Sequence, residues 1–174
     1  MIKNNKGFLI WVTGLSGSGK SHIAKKIKKQ LNKKKIKCIL INGDDLRKIF
    51  KMNKFDKNSR LNYAKSYSLF CKKLTDQGMN IIIATIAMFD EVRNWNKRNI
   101  KNYFEVYTQT PINIIKKRNK KKLYLSNKIN VIGKDIKPEL PKNSNFIFKN
   151  NYKNDTVQFN KLFTEVEKFL MKKY

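Results

Sequence analysis

The chain has few of the residues that define several large classes of protein. Its 174 residues include two cysteines, three prolines and one histidine. Two cysteines, Cys38 and Cys71, are too few for a disulfide framework, so we expect both to be buried thiols. His and Cys are also not spaced as in a structural zinc site. No apolar run approaches the roughly 18 residues that a membrane-spanning helix needs. We see no signal-peptide pattern and therefore predict a cytoplasmic protein without a membrane partner.

Acidic residues are also scarce, because 12 Asp and Glu stand against 40 Lys and Arg, for a formal net charge of +28. A basic surface can bind nucleic acid, so a nucleic-acid-directed protein stays open as an alternative. However, only five of the basic residues are arginine. Arginine-rich base readout and an aromatic RNA-stacking motif are both missing. Lysine, asparagine and isoleucine have A/T-rich codons, so a biased genome explains this composition and makes nucleic acid the less favoured partner.

Apolar runs alternate with amphipathic stretches along the whole chain, and residues 1–174 have the length of a single domain. The periodicity predicts strands at 8–13, 38–41, 80–85, 103–108 and 146–148, and helices at 20–32, 56–77, 90–100, 111–118 and 156–172. Residues 119–142 are polar and lack clear periodicity, which indicates a mobile segment. Strands that alternate with helices favour an α/β three-layer fold around a mostly parallel five-stranded sheet, with ligands at the carboxyl ends of the strands.

A glycine-rich motif follows the first predicted strand. Residues 14–21 read Gly-Leu-Ser-Gly-Ser-Gly-Lys-Ser, and a helical pattern comes next. Strand, glycine-rich turn and helix N-terminus are the context of a phosphate-binding P-loop, in which backbone N–H groups surround the phosphates. In such a loop the lysine reaches the β- and γ-phosphates and the last serine ligates Mg²⁺. The motif therefore predicts binding of ATP and Mg²⁺ by Gly14, Leu15, Ser16, Gly17, Ser18, Gly19, Lys20 and Ser21.

Two charged residues follow the second predicted strand, in the run Asn42-Gly43-Asp44-Asp45-Leu46-Arg47. We expect Asp44 to lie on a tight glycine turn that faces the P-loop. A carboxylate there would accept a proton from an acceptor hydroxyl or help to hold Mg²⁺. The alternative is that Asp44 and Asp45 cap the helix that follows. Arg47 shares a helical face with Asp44 and could grip a phosphate bidentately, or it could only form a surface ion pair.

The order and spacing of these motifs resemble the adenylyl-sulfate (APS) kinase family. The likeness covers residues 8–148 and includes the P-loop, residues 42–47, Phe55 with Arg60 five positions later, Glu105-Val106-Tyr107, Thr110-Pro111, Arg118, Leu123-Tyr124, Gly133, Asp135, Glu139 and Pro141. The resemblance implies a P-loop kinase that transfers the γ-phosphate of MgATP to the ribose 3′-hydroxyl of a nucleotide whose 5′-phosphate bears sulfate. Members of the family are often dimers, so it also suggests a homodimer, although no residue pattern demands one.

The resemblance also implies roles for individual residues. Lys20 and Asp44 would be catalytic, and Arg118 would lie near the adenine of ATP. Arg47 and Arg60 would hold the 5′-phosphosulfate of the acceptor. Phe55 would stack on one face of the acceptor base. Residues 119–137 would form the lid.

The chain departs from the family on the side of the acceptor base. The second stacking aromatic of the family falls on Val131, and the lid is shorter. The family's Glu-Asn becomes Asn62-Tyr63, and its Ile-Ser-Pro-Tyr becomes Ile86-Ala87-Met88-Phe89, which loses the serine. Loss of one of two stacking partners costs about 1–3 kcal/mol by analogy with base–aromatic stacking, and this penalises a purine more than a pyrimidine. The chain is similar in this respect to a divergent branch of the family that phosphorylates cytidine diphosphoramidate in bacterial capsule modification.

We therefore predict cytidine diphosphoramidate as the acceptor, with adenylyl sulfate as the alternative. The expected acceptor-binding residues are Asp44, Arg47, Phe55, Arg60, Tyr63, Ile86 and Val131.

A few conspicuous residues outside these motifs have simpler interpretations. We expect Trp11 and Trp95 to pack in the core and Arg93 and Arg98 to be solvated. His22 follows the P-loop, but phosphoryl transfer of this kind needs no histidine. Tyr63 and Phe89 could belong either to the core or to the acceptor pocket.

Overall fold

A computed structural model describes residues 6–118, 122–151 and 155–172. The strands are β1 (Leu9–Thr13), β2 (Ile39–Asn42), β3 (Ile81–Thr85), β4 (Tyr103–Gln109) and β5 (Phe146–Lys149). The helices are α1 (Lys20–Lys33), α2 (Gly43–Ile49), α3 (Lys57–Asp76), α4 (Asp90–Asn99), α5 (Ile112–Arg118) and α6 (Thr156–Met171). The predicted strands and long helices are confirmed, with ends that differ by one or two residues.

The five strands form one sheet in the order β2-β3-β1-β4-β5, and every neighbouring pair is parallel. β1 lies at the centre, with Leu9–Thr13 opposite Ile81–Thr85 on one side and residues 103–107 on the other. β2 lies at the edge and is partly exposed. An edge strand has a neighbour on one side only, which leaves part of it exposed.

Helices cover both faces of the sheet, as a three-layer α/β fold requires. Ile10 and Val12 of β1 pack in one cluster with the buried faces of α1 and α6. Leu9 and Trp11 point to the other face and pack with side chains from α2, α3, α4 and α5. Trp11 is fully buried, as expected. In α6 the buried stripe consists of Phe159, Leu162, Val166 and Leu170.

The ends of α3 follow from local chemistry. Asp56 is the N-cap, and its carboxylate accepts a hydrogen bond of 2.9 Å from the backbone N–H of Ser59. At the other end Gly78 adopts a left-handed conformation (φ 86°), which glycine tolerates best. Among the described residues, no helix combines the length and the apolar character that crossing a bilayer requires.

Arg93 is buried, so the prediction that it is solvated is wrong. Its guanidinium pairs with Asp90, lies 3.5 Å from a Glu105 carboxylate oxygen and donates to the Glu139 carbonyl at 2.7 Å. A charge can be buried when such partners surround it. Arg98, in contrast, is exposed.

The segment expected to form the lid is irregular but well packed. Its first residues, 119–121, lie outside the described residues. From residue 122 to 137 the backbone makes one isolated bridge, between Ile132 and Ile136. Tyr124, Val131, Ile132 and Ile136 are buried in the same apolar cluster as Trp11. This part of the chain is therefore tied to the core by its own apolar side chains.

Candidate active site

The carboxyl ends of the parallel strands lie along one edge of the sheet, where a cavity of about 620 Å³ opens. Its wall combines the P-loop, the first turn of α2, one face of α3, the loop after β3 and part of residues 122–132. Most of the predicted site residues meet here: Ser16, Gly17, Gly19, Lys20, Ser21, Asp44, Arg47, Arg60, Tyr63, Ile86 and Arg118.

The P-loop has the backbone geometry that its glycines were expected to provide. Gly14, Gly17 and Gly19 all have positive φ angles, of 149°, 79° and 95°. A Cβ atom on Gly14 would lie 2.4 Å from the Thr108 hydroxyl, so no larger residue fits. Lys20 is the first residue of α1 and is largely buried, with its ammonium group donating to the Leu15 carbonyl at 2.6 Å. The ammonium group therefore lies against the loop that would surround a phosphate.

Residues from β4 and β5 hold the P-loop in place, and sequence analysis did not identify this role. Thr108 donates to the Thr13 carbonyl at 2.9 Å, and its hydroxyl lies 2.7 Å from that of Ser18. The Ser18 carbonyl accepts from the Thr110 hydroxyl at 3.1 Å and from the Asn150 amide at 2.9 Å. The only available signal was that Thr108, Thr110 and Asn150 lie at or directly after strand ends. These bonds fix the loop relative to the sheet.

Helix α2 carries two charged residues of the acceptor side, with Asp44 in its first turn and Arg47 in its last. Gly43 packs so closely against β3 that a Cβ atom would lie 2.9 Å from the Thr85 hydroxyl. Close packing explains this glycine, which begins α2 directly after the last residue of β2. Asn42 is the N-cap of the helix, and the capping role considered for Asp44 and Asp45 is wrong. Arg47 pairs with Asp44 at 3.2 Å, within one helical turn.

Two arginines converge around the ring of Phe55. The guanidinium of Arg47 lies 4.9 Å from the ring centroid and that of Arg60 lies 5.3 Å from it, within cation–π distance. Arg60 also donates to the Phe55 carbonyl at 2.6 Å and to the Asn130 carbonyl at 2.8 Å. Burial, followed by the positive charge of Arg47, lowers the pKa of Arg60. Two guanidinium groups beside the same ring favour binding of an anion near them.

Two predicted base contacts lie outside the cavity wall. Phe55 is 44% exposed beside the two arginines, and Val131 is buried in the core with its N–H donating to Asp135 at 3.0 Å. Among the described residues, Ile132 takes the place in the wall that was expected for Val131. Tyr67, Phe89 and Tyr124 also contribute aromatic surface that sequence analysis did not assign firmly. The signal for Tyr67 was its position one helical turn after Tyr63.

His22 and Arg118 lie at the end of the cavity beside α1. His22 is exposed, with its Nε2 atom 3.4 Å from an Asp155 carboxylate oxygen, and Lys26 pairs with the same carboxylate at 3.1 Å. Arg118 is in the last turn of α5 and faces the same space. In the described part of the chain, no three His, Cys, Asp or Glu side chains come together as a metal site.

The fold and this cavity define a P-loop kinase, and comparison with known proteins gives its family. Residues 6–149 match the family model described as adenylylsulphate kinase. The chain therefore belongs to the APS kinase family and is a phosphotransferase with a hydroxyl acceptor.

Among individual relatives, the cytidine diphosphoramidate kinase of Campylobacter jejuni is 36% identical over 158 residues, covering 88% of this chain and 92% of that protein. A probable adenylyl-sulfate kinase of Pyrococcus abyssi is 33% identical over 120 residues, covering 68% of this chain and 69% of that protein. The solved structure of the Mycobacterium tuberculosis APS kinase CysC in complex with AMPPNP and APS aligns with a TM-score of 0.83. It is 26% identical, and the alignment covers 93% of this chain and 98% of that one.

Proposed function

We propose that this kinase transfers the γ-phosphate of ATP to the ribose 3′-hydroxyl of cytidine diphosphoramidate, a step in bacterial capsule biosynthesis. The observation that carries the proposal is the contrast between the two parts of the acceptor side. Asp44, Arg47 and Arg60 keep the family pattern for gripping a 5′-diphosphate-like group beside a catalytic carboxylate. The base side has lost the second aromatic of the family.

The donor side fits ATP. The positive φ angles of the P-loop glycines leave room for an anion against the backbone N–H groups at the start of α1. Lys20 lies on that loop and would offset charge on the transferring phosphoryl group. Arg118 would lie over the adenine. Ser21 follows Lys20 in the cavity wall and its hydroxyl is a suitable ligand for Mg²⁺. When bound, Mg²⁺ neutralises phosphate charge during the transfer.

On the acceptor side, the residues proposed for catalysis and binding are Asp44 and Arg47 on α2 and Arg60 on α3. Arg47 and Arg60 would bind the 5′-diphosphoramidate, since guanidinium groups form charge-assisted hydrogen bonds with phosphate oxygens. Asp44 lies three residues before Arg47 on α2, and its carboxylate would accept the proton of the 3′-hydroxyl. The hydroxyl oxygen would then form its bond to the γ-phosphorus while the bond to ADP breaks.

One part of the cavity wall, at Ile132, is aliphatic and favours a smaller base. Tyr63 and Ile86 line the cavity together with Ile132, where the family has an aromatic residue nearby. An aliphatic side chain offers an apolar contact but no stacking surface, so a large purine loses more contact energy than a pyrimidine. The similarity to a cytidine diphosphoramidate kinase over most of both chains also supports this acceptor.

Adenylyl sulfate is the second candidate acceptor, because several relatives are adenylyl-sulfate kinases and the M. tuberculosis structure contains APS. The deciding experiment measures kcat/KM for cytidine diphosphoramidate and for adenylyl sulfate by release of ADP, on the same enzyme preparation. We expect the cytidine compound to have the higher value by one to two orders of magnitude, which is about what one exchanged apolar contact can give. A preference for adenylyl sulfate would contradict the proposal.

We also propose a single kinase domain, and a homodimer as the assembly that the family resemblance suggests. Size-exclusion chromatography with light scattering would test the assembly, and a monomeric mass at enzyme concentrations used for kinetics would contradict it.

A further inference from the structure

Helix α2 carries Asp44 and Arg47 but has little to hold it in place. It spans seven residues, and a helix of this length is not stable without tertiary contacts. Its N-cap, Asn42, makes no hydrogen bond from its side chain to the helix backbone. Apart from Gly43, only Leu46 of this helix is buried. The orientation of Asp44 and Arg47 must therefore depend on contacts that other elements make with α2.

Tyr67 of α3 makes such contacts at both ends of this helix. Its hydroxyl lies 3.4 Å from the Gly43 carbonyl, at the start of α2, and 3.6 Å from the sulfur of Met52, just beyond its end. Met52 in turn donates from its N–H to the Arg47 carbonyl at 2.8 Å. On the opposite side, Gly43 packs against Thr85 of β3. The start of α2 is thus held between a strand and a helix.

The environment of Tyr67 makes this hydroxyl a dedicated hydrogen-bond donor. The side chain is 4% exposed, so no bulk water replaces its partners. Burial raises the pKa of Tyr67 to about 12, which keeps the phenol protonated at any working pH. A phenylalanine would fill the same volume but leave the Gly43 carbonyl without this donor.

We infer that Tyr67 is a positioning residue, whose hydroxyl fixes the first turn of α2 and so aims Asp44 and Arg47 into the cavity. This inference rests on the roles proposed above for those two residues. Tyr67 acts through Gly43 and Met52 and is not itself required to touch a substrate.

The test is a double-mutant cycle of Tyr67→Phe and Asp44→Asn, with kcat and both KM values measured on the full chain. The net contribution of a typical hydrogen bond corresponds to a change of up to about tenfold, so we expect Tyr67→Phe to lower kcat by up to about tenfold. The acceptor KM should rise several-fold, and the ATP KM should change less than twofold. In the Asp44→Asn background the further loss of kcat should be less than twofold, because there is no carboxylate left to position.

Tyr103→Phe is the matched control. Tyr103 is also buried, and its hydroxyl lies 3.4 Å from a Glu105 carboxylate oxygen in the interior, away from the cavity wall. We expect this variant to change the melting temperature without changing the acceptor KM.

A purely structural Tyr67 would lower the active fraction equally in both backgrounds, so equal losses of kcat would overturn the inference. Failure of the proposed function would give a different experimental result. If Asp44→Asn alone keeps turnover within tenfold, the role proposed for Asp44 is contradicted. The test of Tyr67 then rests on how it positions Arg47 for acceptor binding. An unchanged acceptor KM in Tyr67→Phe would overturn the inference in that case as well.

Discussion

Asp44 and Asp45 are adjacent acidic residues in the same helical turn with different surroundings. Asp44 pairs with Arg47 and lines the cavity, whereas Asp45 accepts a hydrogen bond of 2.9 Å from the side chain of Asn42. A similar contrast separates the arginines, since Arg47 and Arg60 converge on Phe55 while Arg98 is exposed on α4. Residues of the same type therefore differ in whether their charge faces the cavity.

We predict that Asp44→Asn lowers kcat by at least 10²-fold, the typical effect of losing a general base. The amide keeps the shape of the side chain but cannot take the proton. The ATP KM should change little. Steady-state kinetics measures both, with Asp45→Asn as the control that should keep turnover. If ATP affinity and the melting temperature of Asp44→Asn both collapse, the residue is structural and its catalytic role is wrong.

We predict that Arg47→Ala and Arg60→Ala mainly raise the acceptor KM. Each removes a charge-assisted contact worth roughly 1.5–3 kcal/mol, or about 10- to 150-fold in affinity. The ATP KM should stay nearly constant, and Arg98→Ala should behave like the parent. A main effect on ATP affinity would place these arginines on the donor side.

At the scale of the element, α3 and residues 122–137 form the wall that distinguishes this site. α3 begins at a defined cap and presents Tyr63 and Tyr67 to the cavity from successive turns. Residues 122–137 place Leu123, Tyr124 and Ile132 in the same wall, while Val131 and Ile136 are buried in the core. The shape of the acceptor pocket therefore depends on how two elements pack against each other.

Exchange of Ile132 tests which residue of this segment contacts the acceptor base. We predict that Ile132→Phe improves use of adenylyl sulfate relative to cytidine diphosphoramidate, because an added ring supplies a stacking surface for a purine. The ratio of the two kcat/KM values is the measurement. Val131→Phe is the control, and in the buried core it should destabilise the protein without shifting the ratio. A shift produced by Val131→Phe alone would restore the original assignment of Val131.

The cap of α3 makes a pH-dependent contribution to stability. The hydrogen bonds from Ser59 lower the pKa of Asp56 in the folded protein. A lowered pKa stabilises the fold above the pKa of the unfolded chain, and this stability is lost as the pH falls through the folded value. We predict that Asp56→Ala lowers the melting temperature by about 2–4 °C at neutral pH.

The control for this effect is Asp56→Asn, since asparagine caps helices about as well as aspartate. Differential scanning calorimetry between pH 7 and pH 3 should show that the asparagine variant keeps the cap but loses its pH dependence. An equal fall for both variants at neutral pH would show that the charge, and not the cap, stabilises the helix.

At the scale of the whole molecule, the dominant property is the formal net charge of +28. Such a field attracts anions of every kind, including nucleotides, and salt screens it over about 8 Å at physiological ionic strength. The cavity contributes specific contacts on top of this field. Varying the salt concentration therefore separates the general attraction of anions to the protein from selective binding in the cavity.

We predict that added DNA or RNA changes turnover of the mononucleotide acceptor less than twofold at about 0.15 M salt, because non-specific binding is weak there. ADP release with and without nucleic acid is the measurement, and the same assay at low salt controls for non-specific association. Saturable stimulation by nucleic acid, or its phosphorylation, would support the nucleic-acid-directed alternative.

Residue spacing along the chain was enough to predict the alternation of strands and helices, the P-loop and the family, because all three depend on local patterns. Apolar periodicity marks each element, and the glycines at 14, 17 and 19 supply backbone angles that other residues rarely adopt. Most of the predicted phosphate-binding and acceptor-binding residues lie around one cavity, because motifs at parallel strand ends meet at one edge.

Contacts between residues of different elements could not be predicted from local patterns, because they depend on how the elements pack. Ile132 lines the cavity, whereas Val131 does not. Successive side chains point in different directions, and packing determines which of them faces the cavity. Arg93 is buried because Glu105 on β4 and Glu139 lie beside it, although both are distant in sequence. The contact of Tyr67 with Gly43 joins α3 to α2 across 24 positions. Local patterns specify elements, but long-range contacts assign each side chain its partner.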